Sequence, residues 1–291
     1  MTSDAGIDAF LPSSEDVRSY QRCGWYRSKR VLPDEVLDLA YAGIQRHFSG
    51  ARDYILPATS GFSDWKPNDG AMVRNAEVVA LQNVDVRKLA LHPILGAIAA
   101  RLTGSTRVRY FADTVVDKPG DLQDNESVVG WHTDLAYWQT CTSEALLTMW
   151  IPFQDCTLDM GPLLYVEGSH RWSGTDHLRT FRCKDLGELE RRFPQHAPFK
   201  TVPMTLRRGE LSVHHCRLIH GSGPNTSGRA RVAFAVHLQD EANRFRLYRN
   251  EKGIPWHIFL DDLAAKQSDG TPDYSDPAVF PTIWPVSPPT V

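Results

Sequence analysis

The sequence has no paired-cysteine pattern, no long apolar run and no block of one charge. Its five cysteines (Cys23, Cys141, Cys156, Cys183, Cys216) are odd in number, widely spaced and without a CxxC. That argues against a disulfide framework and against a zinc–thiolate site. Free thiols fit a reducing cytoplasm. Every apolar run falls far short of the roughly 20 residues of a membrane span. The opening Met-Thr-Ser-Asp-Ala-Gly lacks the basic start and apolar stretch of a secretory leader. The expected location is therefore cytoplasmic, with no membrane partner. Lysine and arginine total 32 against 35 acidic residues, a net charge of −3. A phosphate-binding surface usually shows in that balance, so nucleic acid is not expected as a partner. The short basic runs at 27–30 and 207–208 read as solvated faces. Internal repeats and low-complexity tracts are absent too.

What is present is an ordinary globular composition: 291 residues, 42% hydrophobic and 23% charged, enough to bury a sizeable core. A monomer or homodimer is expected. Residues 1–14 read as a loose polar arm. "SSEDVRSYQRCGW" opens with a helix start, Ser13 or Ser14 as N-cap followed by acidic residues. "LPDEVLDLAYAGIQRHF" is the clearest helix, with Pro33 near its first turn and an apolar stripe of Val36, Leu37, Leu39, Ala40 and Ile44. Residues 49–72 read as a long loop. "VRKLALHPILGAIAARLTG" reads as helical segments around Pro93 ending at Gly104. From residue 105 the texture changes to β-branched and aromatic alternation, in "TRVRYFADTVVDKPG", "EALLTMWIPFQD", "GPLLYVEGSH", "FKTVPMTLRRGELSVHHC" and "RARVAFAVHLQD". Helices first, then many strands, predict an α+β, mainly β domain: a sandwich or double-stranded barrel with helices on one face. A single domain is expected, with helices over 15–104, the β core over 105–245 and a proline-rich C-terminal wrap over 246–291.

The chemistry sits in the β half. "GWHTDLAYW" places His132 and Asp134 two apart, hence on one face if they share a strand. An imidazole and a carboxylate side by side supply two of the three ligands of a 2-His-1-carboxylate metal site. By themselves they are equally two hydrogen-bonded polar residues. In "VHHCRLIHGSGPNTSGRARVAF" three histidines, His214, His215 and His220, compete for the third place. Arg231 follows on an apolar strand. A buried guanidinium needs an anion, and its planar fork suits a carboxylate. A dicarboxylate held by the metal at one end and Arg231 at the other meets that need.

Three stretches, "WHTDLAYW", "LTMWIPFQDCTLDMGPLLYVEGSHRWSG" and "GELSVHHCRLIHGSGPNTSGRARVAF", resemble the phytanoyl-CoA dioxygenase-like (PhyH) branch of the iron(II)/2-oxoglutarate-dependent oxygenases. The helical "DVRSYQRCGWYRSKRVLPDEVLDL" is similar to the N-terminal region of that family. The likeness covers most of residues 15–245. It implies a double-stranded β-helix (jelly-roll, cupin-like) core and three iron ligands, His132, Asp134 and His220. It implies that Arg231 binds the distal carboxylate of 2-oxoglutarate, that Ser222 assists, that Trp150 lines the cosubstrate pocket and that Lys118 belongs to it. Iron(II), 2-oxoglutarate and O2 would together hydroxylate a small organic molecule, plausibly of microbial secondary metabolism, with release of succinate and CO2. Halogenating relatives replace the carboxylate ligand with a small residue; Asp134 is present, which disfavours that outcome.

Candidate substrate contacts are Tyr137 and Trp138 just past the ligands, Arg74, Asn75 and Gln82 in "VRNAEVVALQN", and His215. The net acidity speaks against a CoA thioester, whose phosphates want cations. Desaturation, epoxidation or cyclisation from the same cofactors is the alternative outcome. A non-catalytic cupin-like metal-binding protein and a zinc hydrolase are the competing classes; the latter predicts a general base near the metal and no task for Arg231.

Overall fold

The computed structural model describes residues 7–57, 62–122 and 124–285. The first six residues of the expected arm, residues 58–61 of the expected loop and the last six of the expected wrap lie outside the described residues.

The helices form where the sequence signals them. Helix α1 (Ser14–Cys23) is capped by Ser13, whose hydroxyl accepts from Asp16 N–H while the Asp16 carboxylate accepts from Ser13 N–H. It stops at Gly24, whose φ of 82° is left-handed. Helix α2 (Asp34–Phe48) starts one residue after Pro33, which is its N-cap and not part of its first turn. Leu37, Ala40 and Ile44 face the core, but Leu39 is 50% exposed and does not belong to the apolar stripe. A short α3 (Val79–Gln82) precedes α4 (Val84–Ala90) and α5 (Pro93–Thr103), the last closed by Gly104. No helix among the described residues is long and apolar enough to cross a membrane.

The strands are β1 (Trp25–Arg27), β2 (Arg74–Glu77), β3 (Val108–Lys118), β4 (Val129–His132), β5 (Leu147–Pro152), β6 (Leu163–Val166), β7 (Thr201–Pro203), β8 (Ser212–His215), β9 (His220–Ser222), β10 (Arg231–Asp240) and β11 (Thr282–Trp284). They make two antiparallel sheets, the double-stranded β-helix expected. The larger runs β1-β8-β5-β10-β3-β11 with β2 also on β3; the smaller runs β4-β9-β6-β7. The larger sheet reaches beyond 105–245: β1 and β2 come from the helical part, and β11 comes from the C-terminal wrap.

Alternation along β10 divides the core. Val232, Phe234 and Val236 pack outward with Leu37, Ile44, Leu89 and Ile98 of the helices. Ala233 packs inward with Trp150 of β5 and Tyr165 of β6, between the sheets. Arg231, Ala235 and His237 share that inner face. Opposite His237 the register shifts, leaving Phe111 as an extra residue on β3, a bulge of the kind that re-aims side chains. The segment around 180 crosses β4 so closely that a Cβ on Gly130 would sit 1.9 Å from Thr180 O. Only glycine permits the Gly130 N–H to Phe181 O bond of 2.9 Å there.

Ile44 is fully buried and Leu39 half-exposed, so truncation should separate them. Ile44→Ala is expected to cost about 2–5 kcal/mol and Leu39→Ala less than about 0.5 kcal/mol, read from denaturant unfolding at fixed pH. Equal losses would show that the stripe faces the core as the sequence alone suggests.

Candidate metal centre

His132 and His220 are directly opposed across β4 and β9, with ring centroids 4.1 Å apart. Asp134 joins them by another route than the spacing suggests. Strand β4 ends at His132, and Asp134 lies in the following turn, closed by a 2.9 Å bond from Tyr137 N–H to Asp134 O. One ligand atom from each of the three residues lies within 4.8 Å of the others.

Backbone carbonyls orient both rings. His132 Nδ1 is 2.8 Å from Gly130 O, and His220 Nδ1 is 2.9 Å from Leu218 O. A carbonyl only accepts, so each Nδ1 carries the proton and each Nε2 presents a lone pair. Burial, reinforced by His220, pushes His132 down to about 3. Burial, reinforced by His214, pushes His220 down to about 4. Burial opposes ionisation of Asp134, but His220, His214 and His237 outweigh it and hold the carboxyl well below its usual range. Asp134 Oδ1 lies 3.6 Å from His220 Nε2. Three acceptor atoms thus converge, with no donor between them among the described residues. A divalent cation satisfies that arrangement, and a hydrogen bond cannot.

A second polar group occupies the same inner face. Arg231 of β10 is directly opposite Lys118 of β3; they are 1% and 0% exposed. Lys118 Nζ donates to Ser222 Oγ at 2.6 Å and to Gly223 O at 2.7 Å. Arg231 Nη2 reaches Gly161 O at 3.4 Å, and its Nε is buried without a partner. Its guanidinium carbon lies 5.6 Å over the Trp150 ring. Burial, then the adjacent Arg231, holds the Lys118 amine well below the usual lysine range. Neither cation has an ion pair among the described residues. The neighbouring Asp117 points to the opposite face and pairs with Arg74 at 3.2 Å.

The substrate-side candidates separate. Tyr137 stands edge-on to His132, with ring centroids 6.0 Å apart. Asn75 is in register with Val116, whose face is that of Lys118, and its Oδ1 is buried without a partner. The structure places the other four away from that group. Trp138 is core, edge-on to His237 at 4.8 Å and to Phe111 at 5.3 Å. Gln82 is buried and accepts from Arg52 Nε at 3.1 Å, bracing the loop before it. Arg74 faces outward with Asp117 and lies 4.7 Å over Trp65. His215 points away from the metal ligands, toward Tyr20 and His170. Its neighbour His214 is the inward member, 3.0 Å from Asp134 Oδ2. The sequence reading missed Thr148 and His237, both linked to Asp134. Each was findable by parity, Thr148 two before Trp150 and His237 six after Arg231.

A family model described as Phytanoyl-CoA dioxygenase (PhyH) matches residues 20–233. The Phytanoyl-CoA dioxygenase domain-containing protein 1 homolog of Caenorhabditis briggsae is 27% identical over 119 residues, 38% of this chain. That match spans only 41% of the relative's own length. Among solved structures, the non-heme alpha-ketoglutarate-dependent carbocyclase SnoK from nogalamycin biosynthesis is similar with a TM-score of 0.68 and 23% identity, over 93% of this chain and 96% of that one. The epimerase SnoN in complex with Fe3+, alpha-ketoglutarate and nogalamycin RO is similar with a TM-score of 0.67 and 23% identity, over 97% of this chain and 100% of that one. At such identity these two likenesses are of fold.

Protons compete for a histidine ligand only below its pKa, and His132 and His220 are pushed down to about 3 and about 4. Cobalt(II) affinity, measured by chelator competition, is therefore expected to stay flat from about pH 8 to about pH 6, across the ordinary histidine pKa. A steady fall beginning near pH 6.5 would mean that the ligands titrate as ordinary histidines.

Proposed function

The chain belongs to the phytanoyl-CoA dioxygenase family, and from that premise we propose that it is an iron(II)/2-oxoglutarate-dependent dioxygenase that hydroxylates a small organic molecule. In this reading His132 Nε2, Asp134 Oδ1 and His220 Nε2 hold the iron. Arg231, with Lys118 and Ser222, takes the distal carboxylate of 2-oxoglutarate, and Trp150 walls that pocket. When bound, iron(II), 2-oxoglutarate and O2 supply the oxidising power, and the cosubstrate leaves as succinate and CO2.

The observation that carries the proposal is the Arg231–Lys118 pair. A buried guanidinium with no anion among the described residues costs several kcal/mol, the same burial disfavours the charge on Lys118 beside it, and an incoming carboxylate answers both with charge-assisted hydrogen bonds. The position fits. Ser222 is two residues beyond His220 on β9, about 6.6 Å along the strand. A five-carbon dicarboxylate with its 2-oxo end at the metal would span that distance. Neither a zinc hydrolase nor a non-catalytic metal-binding protein gives the pair a role. The hydrolase also needs a free general base, whereas the polar groups beside the ligands, Thr148 and His214, are engaged with Asp134.

On the substrate side Tyr137 and Asn75 remain as contacts. SnoK and SnoN belong to nogalamycin biosynthesis, and an intermediate of specialised metabolism suits this chain as substrate. The protein's own part is to orient that molecule at the metal and keep water out. Hydroxylation adds one oxygen to the product; desaturation or ring closure removes two hydrogens, so product mass separates them.

Anaerobic titration with iron(II) and then 2-oxoglutarate tests the class. A visible charge-transfer band should require both and vanish in His220→Ala. Arg231→Ala should weaken 2-oxoglutarate binding more than about tenfold and leave iron stoichiometry unchanged. Tight zinc binding with no 2-oxoglutarate affinity would overturn the proposal.

A further inference from the structure

We propose that Thr148 and His214 are positioning residues that hold Asp134 by its Oδ2 alone, committing Oδ1 as the one oxygen it gives the metal. The proposal rests on the metal site put forward above. It says what the buried polar groups around that site are for.

Both contacts fall on the same oxygen. Thr148 Oγ1 is 2.5 Å from Asp134 Oδ2, and His214 Nε2 is 3.0 Å from it. Oδ1 faces His220 Nε2 instead. An ionised carboxylate only accepts, so the direction of every bond behind it follows. Thr148 gives its single hydroxyl proton to Asp134. It must then accept from His237, whose Nδ1 is 2.8 Å away. With Nδ1 protonated, His237 Nε2 is an acceptor, and Thr114 Oγ1 lies 3.3 Å from it. On the other side His214 gives its Nε2 proton to Asp134. Its Nδ1 must accept, and Tyr165 Oη stands 3.0 Å from it. The Tyr165 oxygen in turn accepts from Ser212 Oγ at 2.7 Å. Two chains therefore end on one oxygen atom, both through donors on the larger sheet: Thr148 on β5 and His214 on β8. They require two neutral imidazoles of opposite tautomer, His214 protonated on Nε2 and His237 on Nδ1.

The consequence concerns coordination. A carboxylate that chelates through both oxygens takes two positions on the metal; one held by Oδ2 takes a single position. Two histidines and one carboxylate oxygen would hold the metal and leave room beside it for a chelating 2-oxo acid and O2. Rotation of the Asp134 carboxylate would leave two buried donors unpaired, a costly loss in a dry site. Of the histidine pair on β8, only His214 can take part, because alternation sends His215 to the other face.

The decisive variants keep volume and remove the bond. Thr148→Val is nearly isosteric and lacks the hydroxyl; Thr148→Ser keeps it. In cobalt(II)-substituted protein, Thr148→Val is expected to weaken metal affinity about tenfold to a hundredfold. It should also shift the visible ligand-field bands, because Oδ2, then held by His214 alone, is less firmly kept from the metal. Thr148→Ser should restore both readouts. Wild-type affinity and spectrum in a folded Thr148→Val, checked by circular dichroism, would overturn the proposal while leaving the metal site intact. A wild-type chain that binds no cobalt(II) or iron(II) would overturn the site itself and the proposal with it. Should Thr148→Val not fold, nitrogen NMR of histidine-labelled, zinc-loaded wild-type protein decides. Protonation of His214 on Nε2 and His237 on Nδ1 supports the two chains, and the reverse tautomer at either ring overturns them.

Discussion

A carboxylate shut away from water organises the centre of this protein. Asp134 is held ionised inside the fold, and an isolated buried carboxylate is among the most expensive groups a protein can contain. Its surroundings answer that cost from every side. Oδ2 receives a hydroxyl and an imidazole N–H. Oδ1 faces the His220 imidazole, whose Nε2 has no proton to offer. The protein thus stabilises one half of the carboxylate with its own donors and leaves the other half for a cation. Burial supplies the bias in each case, keeping the ligand histidines neutral and the donors dry.

The two sheets divide the labour. The smaller sheet carries His132 and His220, the histidines proposed to hold the metal, as cross-strand neighbours on β4 and β9, which fixes their separation by register alone. The larger sheet carries Arg231 and Lys118 at one end of the β10–β3 pair, and it carries Thr148 and His214, which reach the Asp134 carboxylate. Its outer face is covered by α2, α4 and α5, so that this sheet can hold buried charge inside while packing hydrophobically outside. The bulge opposite His237 and the glycine at 130 are local departures that let side chains and a crossing loop approach the ligands more closely than a regular strand allows.

Much of the site was legible because strands repeat every two residues. Arg231, Ala233, Ala235 and His237 share a face by parity, as do Thr148 and Trp150, and the ligand motif with its flanks was recognisable in the chain. Where the structure places residues differently from the sequence pattern, the reasons are identifiable. Helical periodicity put Leu39 in a stripe, but that part of α2 leaves Leu39 half-exposed. Trp138 follows the ligands in sequence, yet the turn that begins at Asp134 folds its ring back against His237. Arg74 and Asn75 are adjacent, so the pleat sends them to opposite faces. His214 and His215 differ in the same way, and which of the two points inward depends on the register of β8 between β1 and β5.

The sequence by itself determined the class of chemistry: two histidines, one carboxylate and a strand-borne arginine at spacings that suit a metal and a dicarboxylate. It determined most of the order of helices and strands as well, through caps, glycine stops and alternation, but not β1, β2 and β11. Tertiary structure alone decided which oxygen of Asp134 is free, which histidine of a pair faces it, and that Lys118 stands beside Arg231 with no anion among the described residues. These are relations between residues far apart in the chain. They are set by strand register and by burial, and neither quantity exists until the sheets have closed on each other.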